Sequence, residues 1–283
     1  MADSGFVDIS KITNVKDRVI VKQVFGLAQQ QLKLRTICKV IPMPKLTADV
    51  RVATSLAGQR HVKELQEARL DSIAFTKVSF DLATYGKNVV HVAISEEANR
   101  QTDLNLLDLH VQDAATALAT MENMDIAEEL DTLSAGNNIT GSSWAEANDP
   151  ADDIMAAVEQ IESQEKGFTA DTIVMHPTVY AKLVSNEEVR KYIDKSSITE
   201  KGELKEICGL KVLKHPALSQ VSNYQSVAFV LDTKAPGMVF GDGPKMAKKI
   251  DGGAKFYTSL AIAKWGQPKL LLTDAIVRIT NIG

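Results

Sequence analysis

Five histidines and two cysteines are the residues of this sequence best suited to metal binding or nucleophilic chemistry. His61, His91, His110, His176 and His215 are dispersed, and none pairs with another His or a Cys at metal-ligand spacing. His91 falls on a strand pattern and His110 on a helical one, where structural roles are expected. His176-Pro177 and His215-Pro216 stand at strand ends, where turn chemistry accounts for them. Cys38 and Cys208 lie far apart in strand-like apolar runs and read as buried free thiols; a Cys nucleophile served by a distant His stays open. Glu96-Glu97 and Glu128-Glu129 are adjacent carboxylates, which do not face each other on a helix, so solvated surface is the expectation. Gly241-Asp242-Gly243-Pro244 lacks the spacing of a phosphate-binding loop, and no Gly-x-Gly-x-x-Gly follows a strand. Lys245, Lys248 and Lys249 would form a short basic loop able to touch phosphate, a weak signal. No catalytic, cofactor or metal site is expected.

The elements that would hold any site are more informative. Residues 1–35 have scattered apolar positions and an excess of base: Lys11, Lys16, Arg18, Lys22, Lys33 and Arg35 against Asp3, Asp8 and Asp17. They read as an arm with a short amphipathic helix near Val21 to Leu34. Thr36 to Ile41 reads as a strand stopped by Pro42-Met43-Pro44. Leu46, Ala48, Val50 and Val52 alternate with polar residues, as do Val78, Phe80 and Leu82, and then Val90, Val92 and Ile94. The first two runs flank the charged stretch Gly58 to Asp71 and predict a long, protruding hairpin. A two-stranded ribbon is marginal in water, so this one needs a surface on another chain.

Asp103 to Leu133 carries the strongest helical signal: Leu104, Leu107, Val111, Ala114, Leu118 and Met121 recur at spacings of three and four, without Pro or Gly. About 30 residues at ~1.5 Å each give a rod of roughly 45 Å. A coiled coil is disfavoured by the Ala-rich stripe and the lack of ordered flanking charge. Asp149-Pro150 opens a second helix with apolar face Ile154, Val158 and Ile161, ended by Gly167. A compact α+β stretch follows: strands at Thr172 to Met175, Gly209 to Lys214 and Ser226 to Leu231, helices at Pro177 to Val184 and Glu187 to Ile193. Leu270 to Leu272 and Ala275 to Ile279 are strand-like again.

The chain has 283 residues, 45% hydrophobic and 24% charged, with net charge -4. That is enough for one elaborate domain or two smaller ones, and the charge balance points to no particular partner. No apolar run of about 18 residues exists, so no membrane helix is expected. Met1 to Ser10 lacks the pattern of a secretory signal.

The order of basic arm, charged hairpin, long helix, second helix, α+β unit and closing strand resembles the Hong Kong 97-type capsid fold, shared by major capsid proteins of tailed phages and by encapsulins. Val40-Ile41-Pro42-Met43-Pro44 looks like the lead-in to its extended loop. Phe75 to Ser95, running into Asp103 to Leu133, looks like its strand pair and spine helix. Thr172 to Pro177 resembles the axial-domain strand that opens a helix at Pro, and Gly209-Leu210-Lys211-Val212 with Pro216 resembles a stretch of the same domain. Val239-Phe240-Gly241-Asp242 is similar to a late strand, and Ala275 to Ile279 to the final one.

The resemblance implies an α+β fold with residues 1–35 as N-terminal arm, 36–166 with 263–283 as peripheral domain, and 167–262 as axial domain. The extended loop would cover about 45–76 and the spine helix about 103–133. The implied function is a non-enzymatic major capsid protein, made in the host cytoplasm, self-assembling into the pentamers and hexamers of an icosahedral virion shell. It would enclose double-stranded DNA held without base reading, need no cofactor or membrane, and take separate scaffolding, portal or decoration proteins as possible partners. Arg60, Lys63, Glu64, Glu67 and Arg69 at the hairpin tip are the candidate inter-subunit residues. Some relatives crosslink through a loop Lys and a C-terminal Asn; nothing in the context of Lys63 or Asn281 marks them for that chemistry. The competing readings are an encapsulin shell, against which the apolar-poor Met1 to Asn14 argues, and a soluble enzyme with an unrecognised site.

Overall fold

In a computed structural model, the described residues are 7–8, 15–55, 74–95, 106–145, 149–164, 166–192, 204–251 and 257–283. The strands are β1 (Val7–Asp8), β2 (Lys39–Pro42), β3 (Thr47–Ser55), β4 (Ala74–Asp81), β5 (Lys87–Ser95), β6 (Asn138–Thr140), β7 (Thr172–Met175), β8 (Glu206–Ile207), β9 (Leu210–Lys214), β10 (Ala228–Leu231), β11 (Met238–Asp251), β12 (Tyr257–Leu270) and β13 (Ile276–Thr280). The helices are α1 (Val15–Gln31), α2 (Leu82–Tyr85), α3 (Leu106–Asp131), α4 (Pro150–Glu162), α5 (Pro177–Ser185) and α6 (Glu187–Tyr192).

The long helix α3 spans two hydrophobic cores. Its first half, Val111 to Ala119, packs with Val24, Phe25 and Ala28 of α1 and with Val92, Ala247 and Ile262 of a sheet ordered β1-β11-β12-β5. Its second half, Ile126 to Leu130, packs with Val174, Phe229, Leu231 and Ile276 of a six-stranded sheet ordered β6-β13-β10-β7-β9-β8. The alternate residues of those strands, Ile173, Met175, Val230 and Val277, face α4 and α5 on the opposite side. With side chains pointing to both faces by the period of two, β7 and β10 are buried throughout.

Four expectations are corrected. The 1–35 segment is not all an unpacked arm: α1 starts earlier than expected and buries Val24, Phe25 and Ala28, with Leu32 buried just beyond its end. Those positions lie on one helical face, so a helix of modest amphipathicity still supplies a seam to α3. Thr36 to Ile41 does not begin as a strand; Leu34–Ile37 is a 3-10 turn, with the Leu34 amide held by Asn123 Oδ1 at 3.2 Å. Gly241 to Lys249 is not a loop. It lies within β11, which pairs with β12 and absorbs an irregularity between Asp242 and Lys245. The glycines mark close approach: a Cβ on Gly241 would lie 2.5 Å from Met43 Sδ, and one on Gly266 2.5 Å from the Phe240 ring. Cys208 is exposed, whereas Cys38 is buried as expected. Cys208 and Gly209 both have positive φ, 49° and 77°, the signature of the two-residue turn that joins β8 to β9.

α4 and β13 share a core with β7 and β10, while β11 pairs with β12 in the other sheet. Sheet membership is decided by long-range pairing, which local patterning does not report.

Candidate functional site

Among the described residues, no group of three or more His, Cys, Asp or Glu could hold a metal ion, and no helix is long and apolar enough to cross a membrane. His176 and His215 are helix caps: each Nδ1 accepts from a backbone amide, Thr178 N at 3.3 Å and Ala217 N at 3.1 Å. Burial lowers both imidazole pKa values, with Lys33 adding to the effect at His215, and this keeps the rings neutral acceptors. Glu128 is exposed as expected, but Glu129 is half-buried and accepts from Leu270 N at 2.9 Å. Buried Cys38 has its thiol pKa pushed far up, first by burial and then by Glu122, so it is an inert thiol.

The hairpin is present. β3 and β4 pair antiparallel from Thr47↔Asp81 to Ser55↔Ala74 and form a two-stranded sheet of their own. Its root is clamped by Leu82 N donating to Leu46 O at 2.8 Å and Asp81 N donating to Gln267 Oε1 at 3.1 Å. Met43, Phe80, Leu82, Val239 and Leu271 form a small core there, against which Ala48, Val50 and Val78 are only partly buried. Outward, Asp49 pairs with Lys77 at 2.9 Å and accepts from Ser79 at 2.8 Å, and these bonds lower its pKa. Arg60, Lys63, Glu64, Glu67 and Arg69 lie outside the described residues, as do Glu96 and Glu97.

An unexpected feature sits where the two cores of α3 meet. Glu122 and Asn123 are buried between the apolar halves of that helix. Arg35 reaches Glu122 at 3.0 Å and Asp242 at 2.8 Å. Lys264 on β12 contacts Glu122 closely and lies 3.4 Å from Asp242 Oδ1. The Phe240 ring lies beside both cations, 5.0 Å from the Arg35 guanidinium carbon and 5.6 Å from Lys264 Nζ. Burial raises the Asp242 pKa, but Lys264 and Arg35 outweigh it and hold the carboxyl below its usual range. Two cations against two anions make the cluster neutral, which lets it stay buried. Asn123 Nδ2 donates to Gln31 O at 3.3 Å, closing the end of α1.

Sequence reasoning missed this cluster because its members are far apart in the chain. One signal was available. Glu122 stands four residues after Leu118 and four before Ile126, on the apolar stripe itself, whereas Met121, assigned to that stripe, is only half-buried. Lys245, expected in a phosphate-facing loop, lies over the Phe25 ring at 5.2 Å, and burial lowers its pKa.

The family model described as phage capsid protein matches residues 76–263, most of the chain. A search of curated protein sequences finds no match. Among solved structures, the capsid of Cyanophage P-SCSP1u aligns with TM-score 0.65 and 14% identity over 86% of each chain. A Mycobacterium phage Che8 structure aligns with TM-score 0.62 and 12% identity over 100% of this chain and 94% of that one. The holo-SrpI encapsulin complex of Synechococcus elongatus aligns with TM-score 0.61 and 12% identity over 88% of this chain and 86% of that one. At such identities the likeness establishes the fold, the Hong Kong 97-type capsid fold. Together with the match over residues 76–263, it places the chain in the phage capsid protein family as a major capsid shell protein.

Proposed function

We propose that this chain tiles the icosahedral head of a tailed phage as pentamers and hexamers around double-stranded DNA. The observation that carries this reading is a ribbon, β3–β4, with an apolar face only partly covered within its own subunit. A neighbouring subunit would complete that burial, so part of the stability comes from assembly. The tip residues Arg60, Lys63, Glu64, Glu67 and Arg69 contact that neighbour. The sheet carrying β11 and β12, with α1 and α3, is the peripheral unit; the six-stranded sheet with α4 and α5 is the axial unit at ring centres. Its role is structural and not enzymatic. DNA contacts go to phosphates, so they weaken with salt. Synthesis is in the host cytoplasm, and separate scaffolding, portal or decoration proteins serve assembly.

Negative-stain microscopy and size-exclusion chromatography of the purified protein, alone and co-expressed with phage proteins, test this. Closed shells are expected. A strictly monomeric profile at every salt and protein concentration overturns the reading. An encapsulin shell has the same fold, but the match to the phage capsid family favours the virus. Packaged DNA in particles from infected cells supports the phage reading, and an enzyme cargo in its place contradicts it.

A further inference from the structure

Helix α4 and the β8–β9 hairpin carry opposite charge. α4 holds Asp152, Asp153, Glu159 and Glu162 and neither Lys nor Arg. Its core face is Ile154, Ala157 and Ile161, so Asp152, Met155, Glu159 and Glu162 point outward, around a shallow surface depression. Met155 is 51% exposed, one of three large hydrophobic side chains left open among the described residues. At the β8–β9 edge of the sheet, Lys205 and Lys214 lie beside Tyr180 and Val212 around a second depression that Glu206 also lines, while Lys211 projects from β9 to the other face, where Asp171 lines a further depression with it. Lys205 and Lys211 are exposed, and Lys214 Nζ lies 4.4 Å from the Tyr180 ring centroid. α4 shares the core of β13, and β9 is three strands further along the same sheet, roughly 14 Å away at the usual spacing.

We infer that the acidic outer face of α4 on one subunit docks against the lysine-bearing β8–β9 edge of a second copy of this chain. The inference rests on the shell reading above and names the charge pairing that joins axial units within a ring. Two different surfaces meeting head to tail form a heterologous contact, and repeated contacts of this kind close into a ring when the rotation permits. Met155 supplies the apolar centre, and the carboxylates and ammonium groups supply register and rejection of wrong orientations. DNA is the competing occupant of the lysine edge. The α4 face favours a protein, because its acids repel phosphate and leave the complementary surface on this chain unused.

The test compares wild-type protein with Glu159→Lys/Glu162→Lys, with Lys205→Glu/Lys211→Glu, and with all four changes combined. Particle yield is read by sedimentation and negative stain at low and high salt, and folding by circular dichroism and thermal melting. Each two-site variant should fold and lose about tenfold or more of its particle yield, and the combined variant should recover most of it, because attraction is restored with the signs exchanged. Three results overturn the inference while wild-type shells stand: two-site variants that assemble normally, a folded combined variant no better than its parents, or lysine reversals that only strip DNA from intact shells. If a reversal misfolds, Glu159→Gln/Glu162→Gln and Lys205→Gln/Lys211→Gln replace it. They should lower the yield and flatten its salt dependence, and an unchanged yield and salt dependence counts against the pairing. Wild-type protein that forms no shell or ring sinks the shell reading itself, and this inference with it.

Discussion

Replacing Glu122 by Ala should destabilise the subunit more than any surface charge deletion. The side chain is 4% exposed and sits between Arg35 and Lys264, which are 14% and 10% exposed. Two cations and two anions cancel; without Glu122, two cations share Asp242 and the site carries +1. Breaking a buried pair costs ~3–5 kcal/mol, because the charges left behind are desolvated and uncompensated. The lower end applies here, since Asp242 still accepts from Arg35 at 2.8 Å. Urea unfolding of the dissociated subunit reads the effect. With a slope of ~3 kcal/mol/M, a loss of ~3 kcal/mol moves the midpoint down by ~1 M. Glu122→Gln keeps an acceptor and should fall between wild type and Ala. Lys77→Ala, which removes the exposed partner of Asp49, should leave the midpoint unchanged and serves as the control. A Glu122→Ala midpoint within ~0.3 M of wild type would refute the argument that this cluster joins the two cores of α3.

Leu118→Ala should cost ~2–5 kcal/mol, since Leu118 is 3% exposed in the α1–α3 core; a loss near zero would mean that this face of α3 is not packed. Asp125 is half-buried, and burial first, then the neighbouring Glu128 and Glu122, push its pKa up to about 6 against a bond from Asn88. The folded state therefore holds more protons there than the unfolded one, so the stability it contributes is lost as pH rises from about 3.8 through about 6. Asp125→Asn should raise the urea midpoint above pH 6 and have little effect near pH 4, and an equal effect at both values would contradict the assignment. His176 and His215 act with the opposite sign as pH falls, but they are common to both proteins and cancel in the comparison. Reversing Arg60, Lys63, Glu64 and Glu67 together should leave circular dichroism unchanged and abolish particles or make them strongly salt-dependent. Normal particle formation at low and high salt would show that the hairpin does not act through these charges.

The sequence alone determined what depends on neighbours along the chain. The period of two put Ala48 and Val50 on one face of their strand and Phe80 and Val78 on one face of theirs, because strand alternation is set by local geometry, whereas the register that pairs them is not. Asp149-Pro150 announced the start of α4, where the Asp149 carboxylate accepts from Ala151 N at 2.9 Å, because capping is completed within one turn. Val111, Ala114 and Leu118 were identifiable as a buried stripe for the same reason. Tertiary structure decided the rest. Gly241 looks like a loop former until Met43 is seen against it, and β13 joins β10 across more than forty intervening residues. Glu122 became the centre of an ion cluster only when Arg35, Asp242 and Lys264 arrived from three other segments. Each of those residues is an ordinary surface charge by type. Burial, and the pairing that makes burial tolerable, are properties of contacts between distant segments, and local sequence spacing carries no record of them.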